Sequence, residues 1–204
     1  MSSVSVLNFS EYKTISNEEI VSLSNSILIS EYLSENGIRF LQFLKGESID
    51  YLVRGIYSGR NIANIYNYSD DDLEKQHDYI QWLFPTITLS SCNFDSPNLT
   101  LSDYEILRAD WSVRKLVYYL AIKLLNYWGF YDNNRNKLNL LHGHNGLRLS
   151  RLIECLTLFW FDISWIIVKI NELIEAKILF PKYTIYNNER TPIWIVRYLE
   201  NKDK

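Results

Sequence analysis

The residues of this chain best suited to recognition chemistry fall in two polar islands. The first holds His77, Gln81 and Trp82, and the second holds His144, Asn145, Arg148 and Arg151. On one continuous helix His77 and Gln81 lie a turn apart on a shared face, so an imidazole and a carboxamide would line one pocket wall. Trp82 adds an indole N–H that needs an acceptor when buried. In the second island Asn145 has the side chain of a helix cap, which would leave the amides of Leu147 and Arg148 pointing out of a positive helix end. Arg148 and Arg151, three apart, add two guanidinium forks, and His144 sits just before the helix start. That set suits a phosphate or a carboxylate. A structural reading stands beside it: His77, Asp78 and Gln81 tie their helix to its neighbours, Arg148 pairs with Asp78 or Glu74, and Arg151 is solvated. In either reading the two islands are expected to pack together, because polar groups in apolar surroundings need partners.

Other chemistry finds little support in residue spacing. His142 and His144 are two apart, with no nearby cysteine or carboxylate to complete a metal site, so no metal is expected. There is no Gly-rich phosphate loop, no Gly-x-Ser-x-Gly elbow and no His-Glu-x-x-His pattern. Cys92 and Cys155 lack the setting of a nucleophile and are expected to be reduced and unpaired. Asp70, Asp71 and Asp72 fit a helix N-terminus better than a cation site. No catalytic residue is assigned, and no cofactor is expected.

The elements that must position these residues are mostly helical. Ser16 with Glu19 forms a capping box for a first helix reaching toward Glu35, with Gly37 as its stop. Between Ile38 and Tyr57 short helix and extended structure compete, and Asn61 to Tyr66 reads as a helical turn. Ser69 or Asp70 caps a helix from about Asp71 to Phe84, which must end before Pro85. Thr86 to Thr100 reads as a loop, and Ser102 with Glu105 as a capping box for a short helix. From Trp111 to Trp128 the apolar residues Val113, Leu116, Val117, Leu120 and Leu124 share a face, and Gly129 sits at the C-terminal cap. After a polar loop, Asp132 to Asn139, helices are expected from His144 or Asn145 to about Trp160 and from Asp162 to Ala176. Tyr183 to Tyr186 and Pro192 to Tyr198, separated by Asn187 to Arg190, suggest a β-hairpin. The fold class is therefore mainly α, a single compact helical domain with a small C-terminal hairpin.

Composition agrees with that class. With 47% hydrophobic and 15% aromatic residues in a chain of 204, there is enough apolar surface for one packed core. Seven glycines and four prolines argue against long structureless segments. The net charge of −3 gives no general basic face for displacing counterions from phosphates, which disfavours nucleic acid as a partner. The apolar stretch from Cys155 to Ile170 is short and interrupted by Asp162 and Lys169, so no membrane span is expected. The first residues lack the pattern of a signal peptide, and a cytoplasmic location is expected.

The run Asp72-Leu73-Glu74-Lys75-Gln76-His77-Asp78-Tyr79-Ile80-Gln81-Trp82-Leu83-Phe84-Pro85 resembles the hallmark of the opioid growth factor receptor conserved-domain family. Asn145-Gly146-Leu147-Arg148-Leu149-Ser150-Arg151-Leu152-Ile153 is similar to that family's Asn-x-Leu-Arg-Ile-Thr-Arg-Ile-Leu run, and Asp50, Gly59 and Arg60 resemble a weaker upstream element. The resemblance covers roughly Ile38 to Glu175. It divides the chain into an N-terminal helical segment at 1–37, a conserved helical domain at 38–180, and a hairpin or tail at 181–204. The family supplies no catalytic residues, and its animal members are associated with binding an enkephalin peptide at the nucleus. The resemblance thus implies a binding or interaction module, with a peptide, a protein or a small anionic ligand as partner. Two alternatives remain: a winged-helix-like contact with nucleic acid through the C-terminal region, and an enzyme acting on a small phosphorylated substrate.

Overall fold

Short polar side chains fix where most of the helices begin. Ser16, Ser34, Ser48, Asn61, Ser69, Thr100 and Asp110 each accept a hydrogen bond from an amide in the first turn that follows. Each satisfies a donor that the helix itself leaves free. In the computed structural model, residues 7–28, 30–55, 60–90, 93–132, 144–176 and 183–202 are described. The helices are α1 (Asn17–Ser26), α2 (Glu35–Leu44), α3 (Ile49–Arg54), α4 (Ile62–Tyr66), α5 (Asp70–Lys75), α6 (Ile80–Leu83), α7 (Leu101–Ala109), α8 (Trp111–Tyr127), α9 (Asn145–Leu158) and α10 (Ser164–Glu175). Strands β1 (Tyr183–Tyr186) and β2 (Glu189–Pro192) precede α11 (Ile193–Asn201).

The core is built on α8 and α9. Val113, Leu116, Val117, Leu120, Leu124 and Leu125 of α8 are fully buried, as are Leu149, Leu152, Ile153 and Leu156 of α9. Burying each such side chain stabilises the fold by about 1.5–3 kcal/mol. The helices α1 and α7 lie against α8, and α11 lies against α9. Tyrosine hydroxyls tie the N-terminal segment to this frame: Tyr118 donates to Asn8 O at 2.7 Å and Tyr131 to Phe9 O at 2.8 Å. Gly129, at φ +84°, closes α8 in the left-handed conformation that glycine adopts at helix ends.

Several elements depart from what the sequence predicts. The first capping box forms, but α1 ends at Ser26 and Gly37 lies inside α2. A Cβ there would sit 2.5 Å from Asp103 Oδ1, so the glycine permits a close approach and does not stop a helix. The cap of α7 is Thr100 paired with Asp103, two residues before the predicted Ser102 and Glu105. The predicted helix from Asp71 to Phe84 is two, α5 and α6, because Gln76 is extended at φ −81°, ψ 135°. The hairpin forms through Asn187 and Asn188, both at positive φ as a two-residue turn requires. Its second strand is only Glu189–Pro192, however, and the β-branched run after it is helical. Packing of α11 on α9 there outweighs strand propensity. The polar loop expected at Asp132 to Asn139 lies, after Asp132, outside the described residues, as do Cys92 and His142.

Candidate functional site

The break between α5 and α6 is organised by Arg148. Its Nη1 donates to Leu73 O at 2.7 Å and to Asn145 Oδ1 at 3.1 Å, and its Nη2 donates to Gln76 O at 2.6 Å. The Leu73 carbonyl also accepts the Tyr79 hydroxyl at 3.0 Å. A carbonyl near the end of α5, otherwise free to continue the helix, is thus taken by side chains. The guanidinium is buried and lies 5.5 Å from the centre of the Tyr79 ring. It pairs with neither Asp78 nor Glu74, the partners that the sequence suggested.

His77 and His144 meet beside this arginine. Nη2 of Arg148 is 3.2 Å from Nδ1 of His77, and the two imidazole rings lie edge to face with centroids 5.2 Å apart. Arginine can only donate, so His77 Nδ1 accepts and the ring hydrogen sits on Nε2. His144 Nε2 lies 3.1 Å from Glu74 Oε1, Asn145 Nδ2 donates to Glu74 Oε2 at 3.1 Å, and the Tyr127 hydroxyl donates to the same oxygen. Burial and this bond to Glu74 push the Tyr127 hydroxyl well above its ordinary value. The N-terminus of α9 therefore faces the chain's own carboxylate, a favourable placement for an anion. Its cap is His144, with Asn145 the first helical residue. The amides of Leu147 and Arg148 bond to His144 O at 3.1 and 3.2 Å, so neither is free.

Asp78 belongs to a different contact. Arg60 Nη1 reaches Asp78 Oδ2 at 2.5 Å, its Nε reaches Asp50 Oδ2 at 2.7 Å, and its Nη2 pairs with Asp50 Oδ1. Hydrogen bonding to Asp50, outweighing burial, raises the arginine further above its already high value. The upstream element and the hallmark run are thus clamped together through one guanidinium. Trp82 is fully buried, its ring 5.6 Å from that of Phe43 and 5.4 Å from the Arg39 guanidinium, and its Nε1 finds no acceptor among the described residues.

Gln81 and Arg151 open onto a second place. Because α5 ends before an extended Gln76, Gln81 of α6 does not share a helix face with His77. It lines a cleft of about 230 Å³ between the 86–90 segment, α9 and α11, together with Arg148, Arg151, Glu154 and Arg197. Among the described residues the one hydrogen bond of Arg151 runs from Nε to Phe84 O at 2.8 Å. Burial with no carboxylate on its nitrogens lowers its pKa from the ordinary guanidinium value. It is half-buried, and not solvated as its position at the end of an Arg-x-x-Arg pair suggested. Arg197 Nε lies 3.5 Å from Glu154 Oε2. Glu154 was not singled out by sequence; the one available signal was an acidic residue inside the apolar run Leu152 to Leu158.

Among the described residues no cluster of His, Cys, Asp or Glu could hold a metal ion, and no helix is long and apolar enough to cross a membrane.

Comparison with known proteins places these motifs. The opioid growth factor receptor of Rattus norvegicus is 30% identical over 109 residues, which cover 45% of this chain and 18% of the rat protein. That of Mus musculus is 30% identical over 109 residues, covering 45% of this chain and 17% of the mouse protein. The chain thus matches less than a fifth of these relatives' length. No solved structure matches it. The profile of the opioid growth factor receptor (OGFr) conserved region matches residues 33–170, well over half of the 204, and the chain belongs to that family.

Proposed function

We propose that this chain is a binding module that receives an anionic group, carried by a peptide or a small molecule, in the cleft between the 86–90 segment, α9 and α11. The observation that carries the reading is Arg151. A guanidinium held by one backbone carbonyl, with its other two nitrogens unpartnered among the described residues, is a charge-assisted donor fork awaiting an acceptor. Of the seven residues singled out by sequence, Gln81, Arg148 and Arg151 line this cleft. His77 and Asn145 contact the Arg148 guanidinium, His144 packs against His77, and Trp82 is buried on α6. The relatives' designation as receptors accords with a binding role.

Isothermal titration of the chain with acetate, inorganic phosphate and short acidic peptides tests this. At least one probe is expected to bind, and Arg151→Gln is expected to weaken it about tenfold or more, the scale of one charged hydrogen-bonded contact. Circular dichroism verifies that the variant is folded. Binding by no probe, or an affinity indifferent to Arg151→Gln, removes the reading.

A further inference from the structure

We infer that the cleft is built for a carboxylate whose neighbouring atom carries an N–H, the chemistry shared by the last residue of a peptide and a free N-acyl amino acid. This inference rests on the binding role proposed above. It starts from Gln81, which is only 7% exposed yet has a side-chain oxygen closed off from water with no donor. Among the described residues its amide nitrogen makes no hydrogen bond either. A buried carboxamide oxygen without a donor is costly, and native structures leave few such groups without a reason. The last torsion of glutamine is broad and twofold, so a half-turn presents either its oxygen or its nitrogen to the cleft. The complement of a carboxamide is a group that sets a donor beside an acceptor.

Arg151 supplies the second half. Its Nε donates to Phe84 O, three residues beyond Gln81, so the guanidinium fork of α9 is tied to the short segment that carries the carboxamide. A planar fork fits a carboxylate through two parallel bonds. An N-acyl amino acid then places its carboxylate on Arg151 and its N–H on the Gln81 oxygen. The charges favour an anion. Glu154 is buried beside Arg197, which also approaches Glu200 at 3.8 Å, whereas Arg148 and Arg151 line the cleft with no carboxylate on either guanidinium among the described residues. The volume of about 230 Å³ suits one residue, below the roughly 300–1,000 Å³ of ordinary ligand pockets. Leu147, which is exposed, and Ile193 offer apolar contact at its edge.

Calorimetric titration of the full chain with N-acetylleucine and with its ester analogue, in which oxygen replaces the N–H, tests the inference. The ester sets lone pair against lone pair at Gln81. N-acetylleucine is expected to bind about tenfold more tightly than the ester, and N-acetylleucine amide to bind at least tenfold more weakly than the acid. Gln81→Met is expected to abolish the preference for N–H over ester. Equal binding of acid and ester by the unmodified chain, or binding of inorganic phosphate alone, overturns this inference and leaves the anion-binding role standing. Binding by none of the probes overturns both. A pentapeptide ending in leucine separates the sources: affinity tenfold above N-acetylleucine and lost on C-terminal amidation assigns a peptide terminus. Equal affinity assigns a free N-acyl amino acid.

Discussion

Nη2 of Arg148 lies 3.2 Å from Nδ1 of His77, beside the interruption between α5 and α6 at which the same arginine bonds Gln76 O. Both residues lie within residues 33–170, the stretch that matches the family's conserved region, and the contact joins positions 71 apart in the sequence. The guanidinium is anchored on two main-chain carbonyls, so its position is set by backbone and not by another charge. Arginine suits that task because its rigid fork serves several acceptors at once, which a lysine ammonium does less well.

Replacing Arg148 with Gln is therefore expected to lower stability by about 2–4 kcal/mol, since it strips donors from buried carbonyls and loses charged hydrogen bonds. Urea denaturation of both proteins measures this. The loss is expected to be the same with and without added phosphate or acetate. Stabilisation of the unmodified chain by either anion that the variant fails to show would mean that Arg148 serves a ligand.

Asp103 gives the fold an acid-sensitive joint. Burial acts to raise its carboxyl, but bonds from Ser34 and Thr100 outweigh it and hold the pKa below the ordinary 3.8. Ser34 donates through both its amide and its hydroxyl, each at 2.7 Å. A depressed folded-state pKa contributes stability that is present above the unfolded value and lost as pH falls through the folded one. Asp103→Asn is thus expected to destabilise the chain by roughly 1–3 kcal/mol at pH 7. The difference should shrink as pH falls below about 4. Thermal midpoints across pH 2 to 7 check this, and a constant gap would contradict it.

Local chemistry explains what sequence could and could not reveal. Caps such as Ser16 and Ser69 act within three residues, so they are legible from the string alone. The apolar face of α8 is equally legible, being a period repeated over 17 residues. The break at Gln76 is not, because its cause is an arginine 72 positions away. For the same reason the helical face shared by His77 and Gln81 was a false expectation. The run after Pro192 misleads for a different reason: Ile193, Ile195 and Val196 favour strand locally, and contact with α9 decides otherwise. In the site, residue types on the two islands pointed to anion chemistry. Which arginine is committed to backbone and which is open depends on tertiary contacts that spacing does not encode.

Gly37→Ala tests the close approach of α2 to α7. The added methyl would meet Asp103 Oδ1 at 2.5 Å, and the adjacent Leu33 Cβ at 3.1 Å leaves little room to shift. Although alanine favours helix over glycine, the substitution is expected to cost about 1–3 kcal/mol. Denaturant titration reads the sign, and a gain in stability would refute the tight contact. Combined with Asp103→Asn, the losses should be less than additive, since both act on one joint.

Cys155 provides a direct report of core opening. It is fully buried on α9, and burial, partly opposed by the Tyr104 hydroxyl 3.8 Å away, pushes its thiol up to about 12. At pH 8 the folded protein would hold only about one thiolate in ten thousand at this site, and the thiolate is the form that reacts. In a Cys92→Ser variant, which leaves Cys155 as the sole cysteine, alkylation by iodoacetamide is expected to be negligible in native buffer. With rising urea it should follow the same transition as the loss of helical signal. The raised value also fixes a direction with alkali: an unfolded thiol ionises near 9 and the folded one does not, so stability falls as pH rises above 9. Labelling that runs ahead of unfolding, at any urea concentration, would show that α9 opens separately from the rest of the core. It would place the walls of the proposed cleft on a mobile element and not on a rigid one.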